Sequence, residues 1–564
     1  MIQFRTLFLS VFGLFMMACA REEIIVSETS VQDTPIGMQA QKGRLRLKFK
    51  SRFAGKAEQA VYTRAGTGDI RIVSMKRLFP FAGKFEERTR KAGLHLWYEV
   101  EFDEQTPVTR ALALLGDTTE IEIAEPVYII RNTGGEGTVP VRSAGERNSD
   151  GTAPFNDPEL SRQWHYSNTG ELPNSVAGAD INLFAAWQKN QGSREVIVAV
   201  IDGGIDYRHE DLSGNVGNPA ELFGEPGVDD DGNGYIDDIY GWNFINGTNQ
   251  IEADDHGTHV AGTIGAENNN GVGVCGIAGG DGSKNSGVKI MSCQVFAGEA
   301  GVTLDAEARA IKYAADNGAV ILQCSWGYNS SLANLIEGYT PGPGSEEEWE
   351  KLYPLEKDAL DYFINNAGSP NGVIDGGLAI FASGNEYAGM AAFPAAYSKC
   401  ISVSAVAADF TPASYSNYGK EVTISAPGGD TEYYNPVGQD DPEGWEEGIH
   451  SGSILSTWIQ NGNATYGFMD GTSMACPHVS GVAALGLSYA VKQRRHFKAS
   501  EFVELLKSST KPLDSWYNTG EVKAYYRNHI SSGASATRVE LSKYVGKMGA
   551  GLLDAGMLLN NIEG

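Results

Sequence analysis

Apolar residues follow two different rhythms along this chain. Between about residues 42 and 130 they alternate with polar ones, most clearly in the run HLWYEVEF at 95–102. Strict alternation marks strands with one buried face. The pattern predicts strands at 45–49, 94–102 and 121–130 and a helix at 107–115, a small α+β domain. From about residue 155 the apolar runs become continuous: 196–201, 288–295, 319–324, 378–382, 401–406 and 422–425. Helical stretches separate them, at 303–316, closed by Asn317-Gly318, and at 346–366. Strands apolar on both faces with helices between them predict an α/β fold, a mostly parallel sheet with helices on both faces. In such sheets the ligand crevice lies beyond the carboxyl ends of the strands. Chemistry is therefore expected just after each apolar run.

The two regions are joined by 132–154, rich in Gly, Ser, Thr and Pro without apolar periodicity, which reads as an exposed linker. The expected organisation is 1–19, 42–130, linker 131–155 and a large domain at 156–564. Residues 1–19, MIQFRTLFLSVFGLFMMAC, carry Arg5, then an apolar run from Leu7 to Met17 and Ala18 before Cys19. That run is too short to cross about 30 Å of hydrocarbon and reads as an export signal. It resembles a lipoprotein signal, which implies acylation of Cys19 and a membrane partner through that anchor. Met16 and Met17 depart from the usual residues there.

Composition narrows the function. With 564 residues, 41% hydrophobic and 20% charged, the chain is neither fibrous nor disordered throughout. Its net charge of −27 argues against nucleic acid as a partner. The charge is uneven: 21 basic against 19 acidic residues in the first 150 leave 23 against 52 in the remainder. A mildly basic domain ahead of an acidic one fits docking of the two. Five cysteines follow Cys19, namely Cys275, Cys293, Cys324, Cys400 and Cys476, with no C-x-x-C spacing; buried free thiols or a single disulfide both fit.

Three residues stand at element ends where the crevice should be. Asp202 follows the run VIVAVI in VIDGGID. His256 opens a small-residue helix in DDHGTHVAGTIGA. Ser473 starts a helix in GFMDGTSMACPHVSGVAAL, with Pro477 close behind. Each alone has an ordinary explanation, such as a structural histidine or a helix-capping serine. Together, VIDGGID, HGTHVAG and GTSMACPHVSG resemble the subtilisin-like serine proteases, the subtilases, in the order Asp, His, Ser. The resemblance runs over about 156–560. It implies that Ser473 is the nucleophile, His256 its base and Asp202 the group that orients the imidazole. It also implies that Asn385, in FASGNEY after the apolar run GLAIF, donates to the oxyanion. His259, His478, Asp206, Asp254 and Asp255 are expected to be structural, turn-forming or solvated.

The same resemblance assigns substrate contacts. Ser325, Trp326 and Gly327 would pair with extended peptide and wall the pocket for the residue before the cleaved bond. Ala392, before Phe393-Pro394, would form a small uncharged floor that favours a large apolar side chain. The domain at 42–130, ending in IEIAEPVYII, resembles the family's propeptide, which implies a chain that partners its own N-terminal segment and is cleaved between about 130 and 156. Insertions at about 328–376 and 429–453 either restrict access to the cleft or decorate the surface.

One loop suggests a metal. VDDDGNGYIDD carries Asp229, Asp231, Asn233, Gly234 and Asp237 at positions one, three, five, six and nine of an EF-hand-like calcium pattern. Position twelve is Tyr240, which has no carboxylate, so the loop is either a calcium site completed by Asp238 or a distant acid, or an acidic surface turn. The expected activity is that of an exported serine endopeptidase made as a zymogen and lipid-anchored. The alternatives are a silent peptide-binding protein on the same scaffold, and a non-peptide acyl hydrolase, against which the absence of a G-x-S-x-G elbow argues.

Overall fold

Six continuous apolar runs give six strands of one sheet. The computed structural model describes residues 40–57, 70–116, 118–130, 139–140, 153–172, 174–218, 221, 225–297, 302–333, 340–430, 452–525 and 537–563. Its main sheet has nine strands in the order Thr510–Lys511, Leu552–Leu553, Ile424–Pro427, Ile401–Val406, Leu378–Ala382, Ile321–Cys324, Ile197–Asp202, Lys289–Gln294 and Gly241–Asn243. All neighbours are parallel except the first pair. The inner strands are buried throughout because helices cover both faces. One of these, Thr472–Gln493, is long and apolar enough to cross a membrane, yet residues 472–490 are buried against the sheet. It is the central core helix.

The N-terminal domain is a sheet ordered Ile72–Arg77, Trp97–Phe102, Ala40–Phe49 and Ile121–Ile130, all antiparallel. Alternation gives its first strand two distinct faces. Leu45, Leu47 and Phe49 enter a core with Val100, Phe102, Ala111 and Leu115, while Arg44, Arg46 and Lys48 point to the acidic helices of the large domain. Arg46 pairs with Glu125 at 3.0 Å and with Asp305. Lys48 Nζ and Trp97 Nε1 donate to the same oxygen of Asp358, at 2.7 and 2.8 Å. The last strand continues into the large domain, pairing antiparallel with Val302–Thr303. Both sheets belong to one compact unit.

Four elements differ from expectation. The strand expected at 94–102 starts at Trp97, because Leu94–Leu96 is a 3-10 turn after Gly93, whose φ is +78°. The helix expected at 346–366 is two helices, Glu346–Leu352 and Pro354–Asn366: the ring of Pro354 disfavours a helical residue before it, and Tyr353 sits at φ −130°, ψ 52°. A hairpin, Ile454–Gln460 with Asn463–Met469, was not anticipated; it turns at Asn461-Gly462, both with positive φ. Within the expected linker, Val139–Pro140 forms a third strand on that hairpin, pairing with Gly467 and Phe468. Helix Pro354–Asn366 of the first insertion carries Asp358 and Tyr362 to the N-terminal domain. Residues 431–451 of the second insertion lie outside the described residues, as does Cys19. The five later cysteines are free and buried.

Candidate active site

The main-sheet strand Ile197–Asp202 delivers Asp202 to the crevice with its side chain fully buried. Its Oδ1 accepts from the Gly203 N–H at 2.7 Å and lies 2.8 Å from His256 Nδ1. A carboxylate on Nδ1 fixes the proton there and directs Nε2 outward as the basic nitrogen. His256 sits in the first turn of helix Asp255–Gly265, capped by Asp254, whose Oδ1 accepts from the Gly257 N–H at 3.2 Å. Close approach of helix and strand end depends on glycine: a Cβ on Gly257 would lie 2.5 Å from the Gly203 carbonyl oxygen. Burial lowers the imidazole pKa, but the charge and hydrogen bond of Asp202, with Asp254 and Asp255 nearby, outweigh it and raise the pKa to about 9. The Nε2 atom is buried without a partner among the described residues.

Ser473 is the second residue of helix Thr472–Gln493, so its N–H is one of the first-turn donors that the helix itself cannot satisfy. Pro477, four residues on, has no N–H to return to the Ser473 carbonyl. The Ser325 hydroxyl takes that vacancy, donating to Ser473 O at 2.7 Å. Gln323 Nε2 in turn donates to Ser325 Oγ at 2.7 Å. The Ser473 hydroxyl donates to the Ser325 carbonyl at 3.2 Å rather than to the imidazole. Asn385, two residues past the Ser383 that ends the apolar run, accepts from the N–H and hydroxyl of Thr472 through Oδ1, at 2.9 and 2.7 Å. That leaves Nδ2 as its donor end, near Gly471 and the start of the serine helix.

Ser325, Trp326 and Gly327 follow strand Ile321–Cys324 directly. Trp326 is anchored by Nε1 donating to Ile201 O at 2.8 Å and packs edge-on against Phe381. Ala392 is buried, and a Cβ on Gly327 would lie 2.9 Å from Phe393 O, so the expected wall and floor adjoin. His478 and His259 are tied into the core. The first bonds Met474 O and His165 Nδ1, both at 2.8 Å. The second donates to Ile454 O at 3.0 Å. Burial lowers them to about 4 and about 3.

The acidic loop assembles differently from its sequence pattern. Carboxylate oxygens of Asp229 and Asp231 come within 4.8 Å of one from Glu221, which had no motif to announce it. The expected ligands Asp237 and Asn233, like Asp229 and Asp231, also make hydrogen bonds within the loop. Asp237, at φ +55°, turns its carboxylate to the Gly227 N–H at 2.8 Å. Asn233 spends its amide on Asp231, Asp238 and Asn317 and its oxygen on the Tyr235 N–H. Burial and the neighbouring acids raise Glu221 to about 7 and Asp231 to about 6. The three carboxylates are hard oxygen donors, the ligand type that calcium takes.

The model of the Subtilase family matches residues 193–531, and that of the N-terminal of the Subtilase family matches residues 55–170. The thermophilic serine proteinase of Bacillus sp. (strain AK1) is 28% identical over 341 residues, 60% of this chain and 63% of that protein. Halolysin of Haloferax mediterranei is 29% identical over 349 residues, 61% of this chain and 52% of the relative. The extracellular protease of Xanthomonas campestris pv. campestris is 32% identical over 347 residues, 59% of this chain and 50% of the relative. The chain thus spans between half and two thirds of these relatives. Among solved structures, fervidolysin of Fervidobacterium pennivorans shares the fold at a TM-score of 0.54 and 19% identity, over 94% of this chain and 62% of that one. The epidermin leader peptide processing protease of Staphylococcus aureus does so at 0.53 and 19%, over 92% and 98%.

Proposed function

The chain belongs to the subtilase family, and from that premise we propose that it is a serine endopeptidase, made as a zymogen, that hydrolyses peptide bonds through an acyl-enzyme on Ser473. The observation that carries this reading is the buried 2.8 Å contact from His256 Nδ1 to Asp202, which leaves Nε2 as the only nitrogen able to act as base. Neutral His256 takes the proton of Ser473 as its oxygen attacks the substrate carbonyl, and Asp202 stabilises the imidazolium that results. The oxyanion meets two donors, the Ser473 N–H at the helix start and Asn385 Nδ2. Protonated His256 then gives its proton to the leaving amine, and water repeats the sequence to release the acid.

Ser325 to Gly327 offer a backbone edge to an extended peptide, which confers affinity with little sequence choice. The buried Ala392 favours a large apolar side chain before the cleaved bond. The N-terminal domain is the chain's own partner: its last strand occupies the edge at Val302–Thr303, where a substrate would also pair. Glu221, Asp229 and Asp231 would hold calcium, a structural role with no step of the reaction passing through it. Export is supported by the extracellular protease of Xanthomonas campestris pv. campestris among the relatives, and lipid attachment at Cys19 by sequence alone.

One observation favours the silent peptide-binding alternative: the Ser473 hydroxyl points to Ser325 O and not to His256. Purified wild type and Ser473→Ala separate the two. An active enzyme shortens its own chain between about 130 and 156 and is labelled by a fluorophosphonate, while the variant stays full length and unlabelled. Full-length, unlabelled wild type sinks the protease reading.

A further inference from the structure

The face between the two domains buries more acid than base. Arg46 of the N-terminal strand Ala40–Phe49 bonds Glu125 of Ile121–Ile130 and Asp305 of helix Leu304–Asp316, and its charge is felt by Glu307 of the same helix and Glu356 of helix Pro354–Asn366. All five are buried, with Glu307 and Glu356 at 0% exposure. Arg46 is the only cation among them, and it is already bonded to Glu125 and Asp305. Glu356 accepts from Trp349 Nε1 at 2.7 Å and from the Tyr328 hydroxyl at 3.3 Å through one oxygen, while its other oxygen and both oxygens of Glu307 have no partner among the described residues.

Other charged groups at this face are satisfied at its edge. Arg44 pairs with Glu99, with Asp305 Oδ2 3.9 Å away; Lys48 pairs with Asp358 and faces Glu122 at 3.7 Å; Arg88 pairs with Asp316, which also holds Lys312. Tyr128, Tyr328, Tyr353, Cys324 and Cys400 are the remaining titratable neighbours. His95, the single histidine of residues 40–130, is beside Arg77, Arg90 and Glu86 instead.

Four carboxylates around one guanidinium would leave three uncompensated negative charges in a dry interface, an arrangement that protonation relieves. We propose that the two domains dock by taking up protons on Glu125, Glu307 and Glu356, so that rising pH weakens the hold of the N-terminal domain on the large one. Burial raises the Glu125 pKa to about 7 against the opposing pull of Arg46, and raises Glu307 and Glu356 as well. Once the domains part, water reaches these carboxyls and they ionise at ordinary values. Binding is therefore at full strength below about pH 4.5 and declines as pH climbs through about 7 and beyond. The inference rests on the zymogen reading, since it concerns what releases the cleft.

Its test does not require activity. A full-length Ser473→Ala chain carrying a recognition sequence for an added specific protease after Gly135 is nicked, and dissociation of the fragment is measured by sedimentation from pH 5 to 9. The dissociation constant is expected to rise with pH, about tenfold per unit for each proton released. Glu307→Gln and Glu125→Gln, which keep the neutral shape, should each flatten the slope by about one proton, and circular dichroism checks that both fold. A constant independent of pH, or one that falls as pH rises, overturns the proposal. So does an unchanged slope in both variants. None of these outcomes bears on whether wild-type Ser473 reacts with a fluorophosphonate.

Discussion

His256 is pulled in opposite directions by its surroundings. A buried imidazole resists its charge, yet Asp202 at 2.8 Å holds the charged form, and the balance lies near 9. With the folded-state pKa raised above 6.5, this pair stabilises the fold fully below about pH 6.5 and stops doing so as pH rises through about 9. The base must be neutral to act, so turnover should climb over the same window in which that stabilisation is lost. Asp202→Asn removes the opposing pull while keeping the shape. Its expected effects are a His256 pKa below 6.5, read by NMR titration in a Ser473→Ala background, and a kcat lower by about 10⁴-fold in an otherwise wild-type chain, the size this change has in serine proteases generally. An imidazole that still titrates near 9 in the asparagine variant would mean that Asp254 and Asp255, and not Asp202, set its charge.

At the scale of elements, the two helices bearing His256 and Ser473 are fixed by what their sequences omit. Pro477 omits an N–H, which frees the Ser473 carbonyl for Ser325. Gly257 omits a side chain, which lets the histidine helix approach the end of the Asp202 strand. Gly257→Ala should therefore cost about 1–3 kcal/mol of stability, read as a lower thermal midpoint, and most of the activity, since backbone cannot yield as a side chain can. Gly265→Ala, at the other end of the same helix, meets only side-chain atoms, of Ile290 at 3.1 Å and Val288 at 3.5 Å, and should stay near wild type. Equal losses in both would point to helix destabilisation in general. The parallel strands were legible in the sequence because burial on both faces demands continuous apolar runs. Edge strand Ile72–Arg77 was not, since only Met75 of its six residues is buried and no period emerges. The hairpin before Ser473 lies beyond the expected insertion and was missed despite its Asn461-Gly462 turn, because the first four residues of Asn463–Met469 are exposed or half-buried and show no alternation. Asp202, His256 and Ser473 drew attention in the sequence because they stand at or beside element ends, and they and Asn385 were given roles by family resemblance. Glu221 was not, because its place beside Asp229 depends on how the chain folds back and on no local pattern.

At the scale of the molecule, the acidic loop sits between the domains. Lys84 of the N-terminal domain donates to Asp231 O at 2.6 Å, and Gly83 lies against Gly232. On the other side Asn233 bonds Asn317 at 2.8 Å, at the end of helix Leu304–Asp316. The loop thus joins both halves while carrying carboxyls that repel one another. Glu221 and Asp231 have raised folded-state values, about 7 and about 6, against ordinary ones near 4. Their protonated forms favour the fold, so without a cation stability should fall as pH climbs from about 4 through 7. A bound calcium ion reverses that preference, because it binds the ionised form and stabilises the folded state by mass action. In the Ser473→Ala chain the thermal midpoint is therefore expected to drop more steeply between pH 5 and 8 in chelator than in millimolar calcium. Glu221→Gln combined with Asp231→Asn should lessen the slope in chelator and abolish the response to calcium. Identical profiles with and without calcium would reduce the loop to a turn whose charges are carried by hydrogen bonds alone.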